Sequence, residues 1–136
     1  MFDTVLIAGL GLMGGSMAKT IKARTLSRVL GWNRTRATAE QALADGSIDA
    51  IATEALYKEA DLVIIGLYPQ ATVDWLLENM PKMKKGCVIV DMVGVKQFMV
   101  DHLEQAALDA GVHYVGGHPT VSYTHLRAHE TSQDIV

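Results

Sequence analysis

The sequence is poor in several features, and each shortage closes off a class of protein. Cys87 stands alone among 136 residues, so neither an internal disulfide nor a cysteine-based metal site can form, and a reducing cytoplasm is the expected compartment. Basic residues are in deficit, 12 against 15 acidic, for a net charge of −3 with no Lys/Arg-rich block. That leaves no field for nucleic acid and none for an anionic membrane surface. The N-terminal MFDTVLIAGLGLMGG carries an acid at position 3 and is broken by glycines, which excludes both a signal peptide and a membrane span. Internal repeats and flexible linkers are missing as well. An apolar content of 49% in this length fits one core, hence one domain.

Within that domain, short β-branched runs alternate with helix-like stretches. Thr4 to Ala8 is a continuous apolar run bounded by glycine, which predicts a central strand covered on both faces. Met13, Met17, Ala18 and Ile21 recur at helical spacing, and Arg28 to Trp32 reads as a second strand. A helix over Thr35 to Asp45, ended by Gly46, leads to a short third strand over Ile48 to Thr53. Asp61 to Tyr68 is the fourth strand. The helix from Pro69 to Met80 sets Val73, Leu76, Leu77 and Met80 on one face before Pro81. Cys87 to Val90, a helix over Lys96 to Ala110, and Val112 to Val115 complete the series. Strands separated by single helices pair in parallel, so the expected fold is a doubly wound α/β sheet of the Rossmann type.

The first turn sharpens that expectation. Gly9-Leu10-Gly11-Leu12-Met13-Gly14 is a GxGxxG between the first strand and the first helix. Gly9 permits the tight turn, Gly11 lets backbone approach a pyrophosphate, and Gly14 allows helix and strand to pack closely. The N–H groups around Leu12 and Met13, at the helix start, face the phosphates. At the end of the second strand the carboxylate that would accept from a ribose 2′-OH is missing. Asn33 is neutral there, and Arg34, Thr35 and Arg36 offer two cations and a hydroxyl. NADP is therefore favoured, with NAD the alternative and Arg34 the preferred partner of a 2′-phosphate.

Two other segments sit on the edge where open α/β sheets bind ligands. Tyr68-Pro69 either contacts the cofactor or forms an ordinary strand-to-helix turn, and Asp91-Met92-Val93-Gly94-Val95-Lys96 offers Gly94 and Lys96 to a substrate or is equally structural. Cys87 reads as a buried small hydrophobe.

The glycine loop through Ser16, the segment from Asp91 to Lys96, and Gly116-Gly117-His118-Pro119, in that order and spacing, resemble the N-terminal domain of prephenate/arogenate dehydrogenases of tyrosine biosynthesis. The resemblance implies oxidative decarboxylation of prephenate or arogenate. It makes His118 the catalytic residue, a neutral imidazole beside the substrate's ring hydroxyl. It also implies that the full-length enzyme is a homodimer, and that the family's helical C-terminal domain, source of much of the substrate pocket, is absent from this chain. Some members carry a serine where Gly94 stands.

Val121 to Thr131 resembles one reading frame through a transposase-type sequencing adapter. The expected division is a dinucleotide-binding domain over 1–119 and a non-native tail over 120–136. His125 and His129, at i and i+4, would otherwise share a helix face, but no well-placed carboxylate joins them and His118, so no metal site is expected.

Overall fold

Every strand pairing among the described residues is parallel. A computed structural model describes residues 2–92, 94, 95 and 97–115. The strands are β1 (Thr4–Ala8), β2 (Arg28–Trp32), β3 (Ala50–Ile51), β4 (Leu62–Ile65), β5 (Val88–Asp91) and β6 (His113–Val115). Between them run α1 (Leu12–Arg24), α2 (Arg36–Ala44), α3 (Glu54–Tyr57), α4 (Pro69–Asn79) and α5 (Gln97–Ala110), with a 3₁₀ turn at Met80–Lys82. The sheet order is β3-β2-β1-β4-β5-β6. The expected doubly wound Rossmann sheet is therefore present, and its winding reverses between β1 and β4.

The continuous apolar character of β1 follows from burial on both faces, since Val5, Leu6, Ile7 and Ala8 are each no more than 2% exposed. Val5 and Ile7 pack with Ala18 of α1 and with Ala39 and Ala42 of α2. Leu6 and Ala8 join the opposite cluster, with Tyr57, Val73, Leu76 and Leu103 from α3, α4 and α5. Right-handed crossovers produce this division, because winding outward from β1 in opposite directions puts the two helix sets on opposite faces.

Several expectations shift. The fourth strand stops at Ile65 rather than running to Tyr68, because the chain turns at Gly66 once its N–H has bonded to the Ala8 carbonyl at 2.8 Å. The third strand keeps only Ala50 and Ile51, while Ile48 is buried against Gly31. On α4, Leu77 is 45% exposed, and the inward positions belong instead to Thr72, Trp75 and Asn79. The polar members of that face are satisfied locally: the Thr72 hydroxyl donates to the Leu67 carbonyl at 3.0 Å and the Asn79 amide to the Trp75 carbonyl at 2.8 Å. Burial pushes the Cys87 thiol up to about 11, in keeping with an inert core residue.

Two carboxylates close the amino edge of the sheet. Asp61 Oδ2 accepts from the backbone N–H groups of Asp3 and Thr4 at 3.0 and 2.9 Å, and Lys84 pairs with its other oxygen. Asp49 accepts from Val29 N–H at 2.7 Å and pairs with Lys22. Their cationic partners, followed by these backbone N–H groups, hold both carboxyls below the usual aspartate range. Because the folded values lie below the unfolded one of about 3.9, the stabilisation is complete above about pH 5 and is lost as pH falls through the folded values. Asp61→Ala strands the part-buried Thr4 N–H and is expected to lower unfolding free energy by roughly 1–3 kcal/mol at pH 7. Urea denaturation at pH 7 and pH 3 checks this: the difference between wild type and variant should shrink at the lower pH.

Candidate functional site

The carboxyl ends of β1 and β4 lie side by side at the reversal point, and two glycines make that approach possible. Gly9 has φ +98°, and a Cβ there would lie 2.7 Å from the Gly66 carbonyl oxygen. Across the turn, a Cβ at Gly14 would lie 1.7 Å from the Gly9 carbonyl oxygen and 3.5 Å from Ile7. Neither position accommodates a side chain. At Gly11 a Cβ would meet nothing within 4 Å, so the loop opens toward solvent at the residue that precedes α1. The first four N–H groups of a helix have no intrahelical acceptor, and here no acidic side chain occupies the first turn of α1. Leu12 and Met13 are 92% and 52% exposed on that turn. Glycine, open space and free N–H groups together make a cradle that fits a pyrophosphate.

The end of β2 is tied to this loop. Leu10 N–H donates to Asn33 Oδ1 at 2.8 Å, and Asn33 Nδ2 donates to the Thr35 carbonyl at 3.0 Å. Asn33 thus fixes the turn internally in addition to removing a negative charge from it. Arg34 and Thr35 are exposed beyond it, with Thr35 as the N-cap residue of α2. Arg36 is committed to Glu40 at 3.1 Å, whereas Arg34 makes no ion pair among the described residues. A cavity of about 330 Å³ opens beside Arg34, with Trp32, Leu67, Asp74, Trp75 and Glu78 also in its wall. Its floor is aromatic: the Trp75 ring lies 5.7 Å from Trp32 and 5.6 Å from Tyr57. Burial, then the Glu54 and Glu78 carboxylates, push the Tyr57 hydroxyl up to about 12. The Trp75 indole N–H is buried without a hydrogen-bond partner among the described residues.

The remaining expected residues share this edge where they are described. Tyr68 caps α4 at 85% exposure, with Pro69 in its first turn. Asp91, at the end of β5, is 6% exposed and accepts from Gly94 N–H at 3.0 Å and from the Tyr114 hydroxyl at 3.4 Å. Gly94 has φ +89°, so the backbone itself favours glycine there. Lys96, His118, His125 and His129 lie outside the described residues. Among the described residues no three His, Cys, Asp or Glu side chains are grouped to hold a metal, and no helix is long and apolar enough to cross a membrane. Sequence reasoning missed Gly66 and the acidic wall of the cavity. The signal for Gly66 was a glycine directly after an apolar strand; Asp74 and Glu78 had none, since exposed acids on a helix are ordinary.

Fold and loop define a dinucleotide-binding domain. Residues 4–129 match the family described as the NAD binding domain of 6-phosphogluconate dehydrogenase, and the chain belongs to that family. It is 37% identical over 123 residues to the prephenate dehydrogenase of Bacillus subtilis, covering 88% of this chain and 33% of that protein. The crystal structure of prephenate dehydrogenase from Aquifex aeolicus in complex with hydroxyphenyl propionate and NAD+ superposes with a TM-score of 0.75 at 25% identity, over 88% of this chain and 42% of that one. The Mycobacterium tuberculosis 3-hydroxyisobutyrate dehydrogenase shares the fold, with a TM-score of 0.71 at 21% identity over 84% of this chain and 39% of that one. The chain thus spans about a third of the length of the curated relative. The resemblance drawn from its motifs agrees with these matches.

The two glycines part company under substitution. Gly14→Ala is expected to prevent stable folding, because its methyl would meet a carbonyl oxygen at 1.7 Å. Gly11→Ala, at φ −72° with open space around it, should change stability by less than about 1 kcal/mol. It should nevertheless weaken dinucleotide binding at least about tenfold, by holding the pyrophosphate off the backbone. Thermal melts alongside fluorescence titration with NADH and NADPH separate the two effects.

Proposed function

We propose that this chain is the cofactor-binding part of a cytoplasmic dehydrogenase that oxidatively decarboxylates prephenate or arogenate in tyrosine biosynthesis, with NADP preferred and NAD the alternative. The observation that carries the reading is the 37% identity to a prephenate dehydrogenase, on a chain whose glycine loop opens at Gly11 and is closed at Gly9 and Gly14. The nicotinamide, when bound, supplies the hydride acceptor. The chain's own part begins with the Gly9–Gly14 loop and the start of α1, which receive the pyrophosphate. Arg34 and Thr35 address the adenosine 2′ position beside Asn33, and Tyr68 and Pro69 line the same edge. His118, following β6, accepts the proton of the substrate's ring hydroxyl. Gly94 and Lys96 stand at the substrate end of β5, where Lys96 offers a cation and the turn at Gly94, held by its N–H to Asp91, leaves room for the substrate. The full-length enzyme works as a homodimer, with the rest of the substrate pocket outside these residues.

A second reading is a dehydrogenase of the β-hydroxyacid type, favoured by the likeness in fold to 3-hydroxyisobutyrate dehydrogenase. A third is a nucleotide-binding module without catalysis. Turnover separates the three: the chain, supplied with a C-terminal domain from a prephenate dehydrogenase, is assayed with prephenate, arogenate and 3-hydroxyisobutyrate. Reduction of NADP+ with either of the first two is the expected result. In that assembly His118→Asn should lower kcat by about 10²- to 10⁴-fold while leaving the dinucleotide Kd unchanged. Dinucleotide binding with no turnover of the first two substrates defeats the assignment.

The division at residues 119 and 120, with a non-native tail after it, is part of the same reading. Sequencing the source DNA across codon 119 decides it. Adapter sequence in frame supports the junction, and uninterrupted coding sequence that carries the family match on to residue 129 overturns it.

A further inference from the structure

The cavity beside Arg34 has an unexpected charge balance. One guanidinium faces it, from the turn after β2, and two carboxylates line it, Asp74 and Glu78 of α4. At i and i+4 these two acids share one side of the helix. Among the described residues Asp74 has no ion pair and accepts from Gln70 at 3.0 Å, while Glu78 has only a distant share of the Lys82 ammonium, at 4.0 Å against 2.8 Å to Glu54. Both acids are exposed, and the helix beneath them is anchored by buried Thr72, Val73, Trp75 and Leu76, so the negative wall is held in place.

A 2′-phosphate carries a charge of about −2 near pH 7, whereas a 2′-hydroxyl carries none, and the pyrophosphate charges are common to both dinucleotides. A negative wall next to Arg34 therefore acts almost entirely on the difference between them. We propose that Asp74 and Glu78 are specificity-determining residues that oppose Arg34 and hold the preference for NADP well below what the Asn33–Thr35 turn alone would give. The proposal rests on the dinucleotide-binding reading above. It moves part of the selectivity from the turn after β2 to α4, an element that contributes nothing to the glycine fingerprint.

The whole chain and an Asp74→Asn/Glu78→Gln variant are titrated with NADPH and NADH at ionic strengths of about 0.02 and 0.5 M. The amides keep the side-chain size and the Gln70 contact, and a thermal melt verifies that the fold is intact. The expected result is a rise of roughly three- to tenfold in the Kd(NADH)/Kd(NADPH) ratio at low salt, through tighter NADPH binding, shrinking to less than about twofold at high salt. Arg34→Ala should move the ratio the opposite way. An unchanged ratio at low salt overturns the proposal. So does an equal loss of affinity for both dinucleotides, which would assign the carboxylates to the adenine base. Failure of the unaltered chain to bind either dinucleotide defeats the underlying reading, and the proposal with it.

Discussion

Where β1 gives way to α1, the Gly9 carbonyl lies so close to the helix that position 14 has no room for even one methyl group. The rest of the site depends on that approach. It fixes the direction in which α1 leaves the sheet, and with it the open end of the helix and its unpaired N–H groups. The same turn brings Gly9 against Gly66, so the carboxyl ends of β1 and β4 stay adjacent where the winding reverses. Left-handed φ at Gly9 loses more chain entropy on folding than another residue would, a cost offset by burial of the adjoining strand.

The two faces of the sheet divide the work. On one, α1 and α2 close over Val5, Ile7 and Val29, and Asn33 ties the end of β2 to the glycine loop. On the other, α4 packs through Val73, Trp75 and Leu76 and carries a cavity wall on its outer side. Because Trp75 belongs at once to the core cluster and to that wall, the outward charges of α4 stand on a rigid base. Asp91 does comparable work at β5, where its buried carboxylate holds the Gly94 turn and reaches the Tyr114 hydroxyl on β6.

Much of this was legible from the amino acids. Alternation of apolar runs with helical spacing led to a parallel sheet, and GxGxxG located the tight turn from β1 into α1, because Gly9 and Gly14 each answer a local steric demand of that turn. Less was legible on α4. Leu77 looked like a core residue by spacing, yet the helix is rotated so that Thr72 and Asn79 turn inward, their polar groups met by backbone carbonyls. The four-residue α3 carries too little periodicity to be seen. Gly66 passed unnoticed because its constraint lies across the sheet, in a strand far away in sequence.

The sequence by itself determined the winding, the glycine turn and the absence of an acid after β2, since these depend on neighbours along the chain. Only the tertiary structure decided what stands opposite that turn. Two acids on α4 come to face Arg34 because the strand order sets β1 alone between β2 and β4, a juxtaposition no local pattern encodes. Burial and pairing settled the remainder: Asp61 became an acceptor for the N–H groups of Asp3 and Thr4 where β1 begins, and Asn33 a strut rather than only a missing charge. Each depends on a partner more than twenty residues away in the chain, so its role appears only once the sheet is formed.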